Sequence, residues 1–222
     1  MKVITAALSI LLADVSSATN DSPKALRGGP SPTTDCDARK LQSRIINGID
    51  APVNRYPYTV SLQHGDFHFF GGSLIATDLV VSAAGCSVGH SDIARIVLNP
   101  HKLSDSIAAS EIFSVEDCVI HPFYQTLSSH HDYMTIKLTG SFSLSTVRLN
   151  TNENLPVTGS SLHVMGWGTT VARSADAADT LQEFDVVTIT NEKCSKASNE
   201  YENGMTPDSL CAAEVNKGCS PG

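Results

Sequence analysis

The sequence predicts an all-β protein, either a barrel or a sandwich. Short runs such as 58–63 and 134–138 alternate apolar and polar residues, as strands with one buried face do. Turn residues, among them Gly71–Gly72 and Asn99–Pro100, punctuate these runs. Neither a long amphipathic helix pattern nor a fixed-period repeat accompanies them, so many short antiparallel strands are the expected architecture.

The composition narrows the class of protein. The chain has 222 residues, of which 41% are hydrophobic, which is enough apolar material for one or two packed domains and excludes wholesale disorder. Its net charge is −8, and it contains no long run of Lys or Arg. Nucleic acid and anionic membrane surfaces are therefore poor partners.

Residues 1–18 have the pattern of a signal peptide. Lys2 supplies the positive charge, an apolar run over 3–13 follows, and residues 16–18 are small, as a signal peptidase requires. The run is too short to span a bilayer. A buried N-terminal helix is the alternative, and Asp14 followed by a serine-rich stretch disfavours it. We therefore expect a secreted, extracellular protein whose cysteines can oxidise.

Residues 19–44 differ in composition from the rest of the chain. They are rich in Ser, Pro, Gly, Thr and charged residues without periodicity, which is typical of a pro-segment or linker. The β pattern begins after Arg44, and the runs 162–167 and 184–190 extend it. The predicted organisation is thus a signal peptide (1–18), a pro-segment (19–44) and one β-rich unit (45–222).

Seven motifs, in order along the chain, resemble those of the trypsin/chymotrypsin-like serine proteases. They run from a basic residue before a new apolar N-terminus to a disulfide-closed loop near the C-terminus. The motifs are RIING (44–48), PYTVSLQ (57–63), HFFGGSLI with VVSAAGC (68–75 and 80–86), DYMTIKL (132–138), GWGT (166–169), LQE (181–183), and Cys194 with TPDSLCA (206–212).

The resemblance implies a fold and two chemical features. The fold is a double antiparallel β-barrel whose second barrel is incomplete at the C-terminus. Activation cleavage would fall between Arg44 and Ile45, and Cys194 would pair with Cys211. The family needs no metal or cofactor for its chemistry, and we expect none here.

The catalytic positions depart from the family pattern. Acyl transfer by this route needs a serine nucleophile, a histidine base, an acid that orients it, and oxyanion donors. Gly85 stands at the histidine position, and Asp132 matches the acid, which we interpret as a vestige. His130 and His131 lie on the acid's own strand, so we expect them to be surface residues rather than substitutes for the base.

The last residues depart as well. Aligning Cys219 with the cysteine before the family's nucleophile loop puts the serine position beyond Gly222. Pro221, which has no N–H, stands at an oxyanion-donor position. Lys217 and Gly218 occupy the stretch where a specificity-pocket acid is expected. The resemblance therefore predicts a homologue that lacks the catalytic His and Ser and is not an enzyme.

The other cysteines have no assigned partners. Six cysteines allow fifteen pairings, and Phe70 replaces the residue that pairs with Cys86 in the family. A bond between Cys36 and Cys118 would tether the pro-segment, but the sequence leaves the connectivity of Cys36, Cys86, Cys118 and Cys219 open.

A homologue without catalytic residues is expected to act by binding another molecule. Surface loops on a rigid scaffold are readily adapted to recognition. Among inactive relatives, the chain resembles the glucanase inhibitor proteins of oomycete plant pathogens. That resemblance implies an extracellular effector that binds a host endo-β-1,3-glucanase in the plant apoplast and suppresses glucan-elicited defence.

Three alternatives remain at this stage. The first is a trypsin-like endopeptidase whose sequence is truncated or damaged, although truncation does not explain Gly85. The second is a gene product without a selected partner. An open edge of an incomplete second barrel would also favour self-association.

Overall fold

The computed structural model describes residues 3–4, 48–87, 95–105, 111–125, 130–143, 145–170, 177–197 and 209–214. One short α-helix, α1 (Asn191–Ala197), and one 3₁₀ helix (Ala84–Ser87) lie among strands. The strands are β1 (Val3–Ile4), β2 (Ile49–Asp50), β3 (Thr59–His64), β4 (Phe67–Ala76), β5 (Leu79–Ser82), β6 (Arg95–Leu98), β7 (Ile112–Phe113), β8 (Val115–Ile120), β9 (Met134–Leu138), β10 (Ser161–Gly166), β11 (Gln182–Ile189) and β12 (Cys211–Glu214).

Seven strands form a nearly closed antiparallel barrel, here called the first barrel. Their order is β7-β6-β3-β4-β5-β9-β8. The two strands at the ends of this order, β7 and β8, are separated along the chain by Ser114 alone. Because β7 pairs with β6 and β8 pairs with β9, the segment 112–120 joins both ends of the sheet. One continuous segment with a corner at Ser114 therefore closes the barrel.

Alternating side chains fill the first barrel. Every second residue of β9 is buried, and the same period places Val60 and Leu62 of β3 and Ile96 and Leu98 of β6 in one core cluster. Gly72 of β4 marks a close approach between strands. A β-carbon on Gly72 would lie 2.9 Å from Val80 Cγ1, so a larger residue there would displace β5.

The second sheet is smaller and open in the part of the chain that the structure describes. Its order is β10-β11-β12-β1, with β2 pairing beside the start of β11. Leu162, Val164, Val186 and Ala212 form its buried cluster. The Cys194–Cys211 disulfide joins α1 to β12, and the two cysteines are 17 positions apart in sequence.

A third apolar cluster joins the two regions, and we call it the joint. It contains Ala51, Tyr56, Met165, Trp167 and Leu181. Backbone hydrogen bonds cross there as well: the Ala51 N–H donates to the Leu181 carbonyl at 2.8 Å, and the Leu181 N–H donates to the His101 carbonyl at 2.8 Å. The orientation of the second sheet against the first barrel is therefore fixed by both packing and hydrogen bonds.

The predicted antiparallel all-β architecture is confirmed. The run 134–138 is strand β9 with the predicted bounds, and the other three predicted runs correspond to β3, β10 and β11. The backbone of β1, at residues 3–4, pairs with Ala213 and Ala212 of β12. The rest of the predicted signal peptide and the pro-segment lie outside the described residues, so those assignments stay predictions.

Candidate functional site

The structure brings Gly85 and Asp132 together at one end of the first barrel. Strands β5 and β9 pair antiparallel, with Ser82 opposite Met134. The 3₁₀ helix that follows β5 carries Gly85, and Asp132 lies two residues before β9, so both leave the sheet at the same end. The Gly85 N–H donates a hydrogen bond to Asp132 Oδ1 at 2.7 Å. A pair separated by 47 residues in sequence is thereby joined.

The space over the Gly85 α-carbon faces the carboxylate. A β-carbon on residue 85 would lie 3.5 Å from Asp132 Oδ1 and 3.7 Å from Oδ2. It would also lie 3.3 Å from the Tyr124 hydroxyl. A side chain at position 85 would therefore point toward Asp132, which is the geometry that a base oriented by an acid requires. With glycine there, no side chain at this position can accept a proton.

The two histidines beside Asp132 are positioned by other contacts. His131 has a φ of 53°, a left-handed conformation, and its ring stacks on His121 with a centroid distance of 4.7 Å. His130 Nε2 is buried without a hydrogen-bond partner in the described part of the chain. No hydrogen bond between either imidazole and Asp132 occurs among the described residues. Among the described residues, neither imidazole therefore makes the hydrogen bond to Asp132 that a base oriented by this acid would make.

The histidine at position 131 belongs to an exposed aromatic cluster that the sequence analysis did not identify. Tyr133 lies 4.5 Å from the His121 ring, and Phe123 lies 5.7 Å from it, measured between centroids. Phe123 is 68% exposed and Tyr133 is 41% exposed. In the sequence, the cluster corresponds to two short motifs that each contain a histidine and an aromatic residue, HPF (121–123) and HDY (131–133). A backbone hydrogen bond from the His121 N–H to the Tyr133 carbonyl joins the two segments.

A contact between Ser61 and His68 lies at the edge of the joint, and the sequence did not predict it. The Ser61 hydroxyl and His68 Nδ1 are 2.8 Å apart, and Gln63 Nε2 donates to Ser61 Oγ at 3.1 Å. The His68 ring meets Trp167 edge to face at a centroid distance of 5.2 Å. Ser61 is fully buried, so its hydroxyl is out of reach of a substrate. These residues couple the first barrel to the second sheet.

Burial sets the charge state of His68. Removal of its imidazole from water lowers the pKa of His68 from 6.5 to about 4, because the charged form loses its hydration. The ring is therefore neutral near pH 7, and an unprotonated Nδ1 can accept a hydrogen bond from the Ser61 hydroxyl. In the sequence, Ser61 and His68 are seven residues apart on the two strands of one hairpin. Many residue pairs in hairpins have such a spacing, so it does not identify this contact.

The predicted disulfide is present between Cys194 and Cys211. Cys118 is a free and exposed thiol among the described residues, and a bond from it to Cys36, which lies outside them, stays a prediction. Burial of part of the side chain, followed by the adjacent Asp117, raises the pKa of this thiol. The remaining cysteine assignments concern side chains outside the described residues: Cys36, Cys86 and Cys219.

Other predicted site positions also lie outside the described residues. They are Arg44 and Ile45 of the cleavage site and the C-terminal positions 217–222, including Pro221 and Gly222. Among the residues that are described, no group of three His, Cys, Asp or Glu side chains is arranged to hold a metal ion. The described helices are all too short or too polar to cross a membrane.

A family model and the curated relatives agree on the family to which this chain is similar. The trypsin family model matches residues 45–222. A trypsin of Xenopus laevis is 30% identical over 176 residues, which is 76% of this chain and 67% of the relative. Serine protease 1 of Homo sapiens is 30% identical over 179 residues, covering 79% and 69% of the two chains.

A solved structure supports the fold. Neuropsin, a serine protease expressed in the limbic system of mouse brain, matches with a TM-score of 0.66. The match covers 78% of this chain and 76% of neuropsin at 24% identity, so it bears on architecture alone. The trypsin-like arrangement of antiparallel sheets that the sequence predicted is thereby confirmed.

Proposed function

The chain belongs to the trypsin family of serine proteases, and on that premise we propose that it is a secreted member without catalytic activity that acts by binding another protein. The observation that carries the proposal is Gly85. A β-carbon on residue 85 would lie 3.5 Å from Asp132 Oδ1, yet glycine has no side chain to take a proton from a nucleophile. Replacing one member of such a triad typically lowers kcat by about four to six orders of magnitude.

The remaining contacts at this position are compatible with a structural role for Asp132. Its carboxylate accepts the Gly85 N–H and so ties the 3₁₀ helix to the start of β9. A half-buried carboxylate needs such a donor because an unpaired one is costly to desolvate. On this proposal, Asp132 stabilises the fold through this hydrogen bond and takes no part in acyl transfer.

For the partner we propose a plant endo-β-1,3-glucanase, inhibited in the host apoplast. The support is the resemblance to glucanase inhibitor proteins together with the signal-peptide pattern and the glycine at position 85. The net charge of −8 favours a partner with a basic surface, since opposite charge speeds association and suppresses wrong partners. The chain would act as an effector that reduces release of defence-eliciting glucan fragments.

A second candidate is a trypsin-like endopeptidase. It is favoured by the names of the curated relatives, which are trypsins and serine proteases at about 30% identity. This candidate requires that another residue act as the general base in place of a side chain at position 85. Neither described histidine beside Asp132 forms a hydrogen bond with its carboxylate among the described residues, which weighs against this candidate.

Three assays on the secreted full chain, with and without trypsin cleavage after Arg44, test the proposal. Turnover of a tripeptide amide and labelling by a fluorophosphonate serine probe should both be absent, with trypsin as the positive control. Laminarin hydrolysis by a plant endo-β-1,3-glucanase should fall in proportion to added protein, while a bacterial glucanase of unrelated fold serves as the control. Measurable turnover with probe labelling would falsify the non-catalytic assignment. Unchanged laminarin hydrolysis would show that the plant glucanase is not the partner.

A further inference from the structure

The gap over Gly85 is an exposed position bordered by polar groups. Gly85 is exposed, and Asp132 and Tyr124 are half-buried around it. The two carboxylate oxygens and the Tyr124 hydroxyl all lie within 3.7 Å of the point where a β-carbon on residue 85 would sit. A side chain on residue 85 would begin in contact with these atoms, and because residue 85 is an exposed glycine, no side chain of its own covers this face of them.

The charge of Asp132 is incompletely compensated. Its one hydrogen bond among the described residues comes from the Gly85 N–H to Oδ1. No described Lys, Arg or His forms an ion pair with it. Oδ2 therefore retains its capacity to accept a hydrogen bond beside the open position. A cationic donor gains most at such an acceptor, because charge-assisted hydrogen bonds are shorter and stronger than neutral ones.

We propose that the gap over Gly85 receives a basic side chain, Lys or Arg, from the protein partner. This inference rests on the proposed function, because it assumes that the chain binds another protein. It assigns that binding to the end of the first barrel where Gly85 and Asp132 meet. The terminal N–H of the partner's side chain donates to Asp132 Oδ2, and its apolar stem covers Gly85. A metal ion does not fit the same gap, because the described residues offer no set of three ligands there.

The gap can be probed without knowing the partner. The ¹⁵N-labelled full chain is titrated with n-butylguanidinium and n-butylammonium at constant ionic strength, and n-butanol is the neutral control. The Gly85 amide is the reporter, because its N–H is bonded to the same carboxylate. Both cations should shift this resonance in a saturable way, and n-butanol should not. A shift with butylguanidinium alone also supports the proposal and narrows the anchor to Arg.

Matched variants connect the signal to the carboxylate. Asp132→Asn keeps an oxygen for the Gly85 N–H and removes the charge, so the apparent affinity for the cations should fall roughly fivefold. Gly85→His fills the gap and should abolish the response. Glu116→Gln removes one exposed carboxylate from β8 and should leave the response unchanged. Thermal unfolding of each variant establishes that it is folded before titration.

Three results would overturn the inference: no shift with either cation, equal affinity in Asp132→Asn and the unmodified chain, or an equal shift with n-butanol. Each of them leaves the proposed function standing, because the peptidase and laminarin assays do not depend on the gap. Conversely, peptidase turnover rejects the proposed function whatever the cations do. The two failures are therefore distinguishable.

Discussion

The first barrel and the second sheet are built from similar alternating strands, but they are held together differently. The first barrel closes through the segment 112–120, which pairs with β6 at its start and with β9 along most of its length. The described second sheet does not close, and a disulfide joins α1 to β12. We therefore expect the first barrel to be stabilised mainly by its enclosed core, and the described second sheet by a smaller apolar cluster together with the disulfide and the joint.

The largest expected effect comes from matched core truncations in the two regions. Leu138 of β9 and Leu162 of β10 are each 1% exposed. Leu138→Ala should reduce the free energy of unfolding by about 4 kcal/mol, since the closed barrel cannot collapse around the cavity. Leu162→Ala should cost about 2.5 kcal/mol, because the open sheet can relax. Urea denaturation measures both, and equal losses would argue against the distinction between closed and open regions.

Removal of the disulfide should affect the second sheet selectively. The chain-entropy argument for a loop of 17 positions gives a loss of about 3 kcal/mol for the variant with Cys194→Ser and Cys211→Ser. Amide hydrogen exchange should increase in β11 and β12 and remain slow in β3 and β9. Cys118→Ser, which alters a free thiol, is the control and should change little. Uniform loss of protection across both regions would contradict the comparison.

The smallest of the three effects concerns His68, which contacts Trp167 beside the joint. Its pKa is lowered from 6.5 to about 4 by burial, so between these values the unfolded chain binds a proton that the folded protein does not. Stability therefore falls as the pH is lowered through this window, by about 2 kcal/mol from pH 7 to pH 5.

The variant His68→Gln removes this titration while keeping a hydrogen-bonding side chain beside Ser61. Urea unfolding at several pH values should show a shallower dependence on pH for His68→Gln than for the unmodified chain. The difference should be confined to the range between pH 4 and 6.5. Identical slopes would show that protonation of His68 does not contribute to the stability of the joint.

Much of the architecture could be predicted from local patterns. The alternation in residues 134–138 predicted β9 with its observed bounds, because one buried face imposes a period of two. The exposed aromatic cluster and the Ser61–His68 contact were not predicted. Both depend on which segments become neighbours, and side-chain type at a given spacing does not encode this.

The amino-acid sequence by itself determined that position 85 carries no base, since the identity of a residue is covalent and no packing can add a side chain. Short-range periodicity likewise predicted β3, β9, β10 and β11, and the family resemblance implied the Cys194–Cys211 pair. Only the tertiary structure decided that the Gly85 N–H meets Asp132, that Ser114 forms the corner which closes the first barrel, and that His68 loses its hydration against Trp167. These features require strands that are distant in sequence to meet, and that meeting is fixed by the packing of the whole chain.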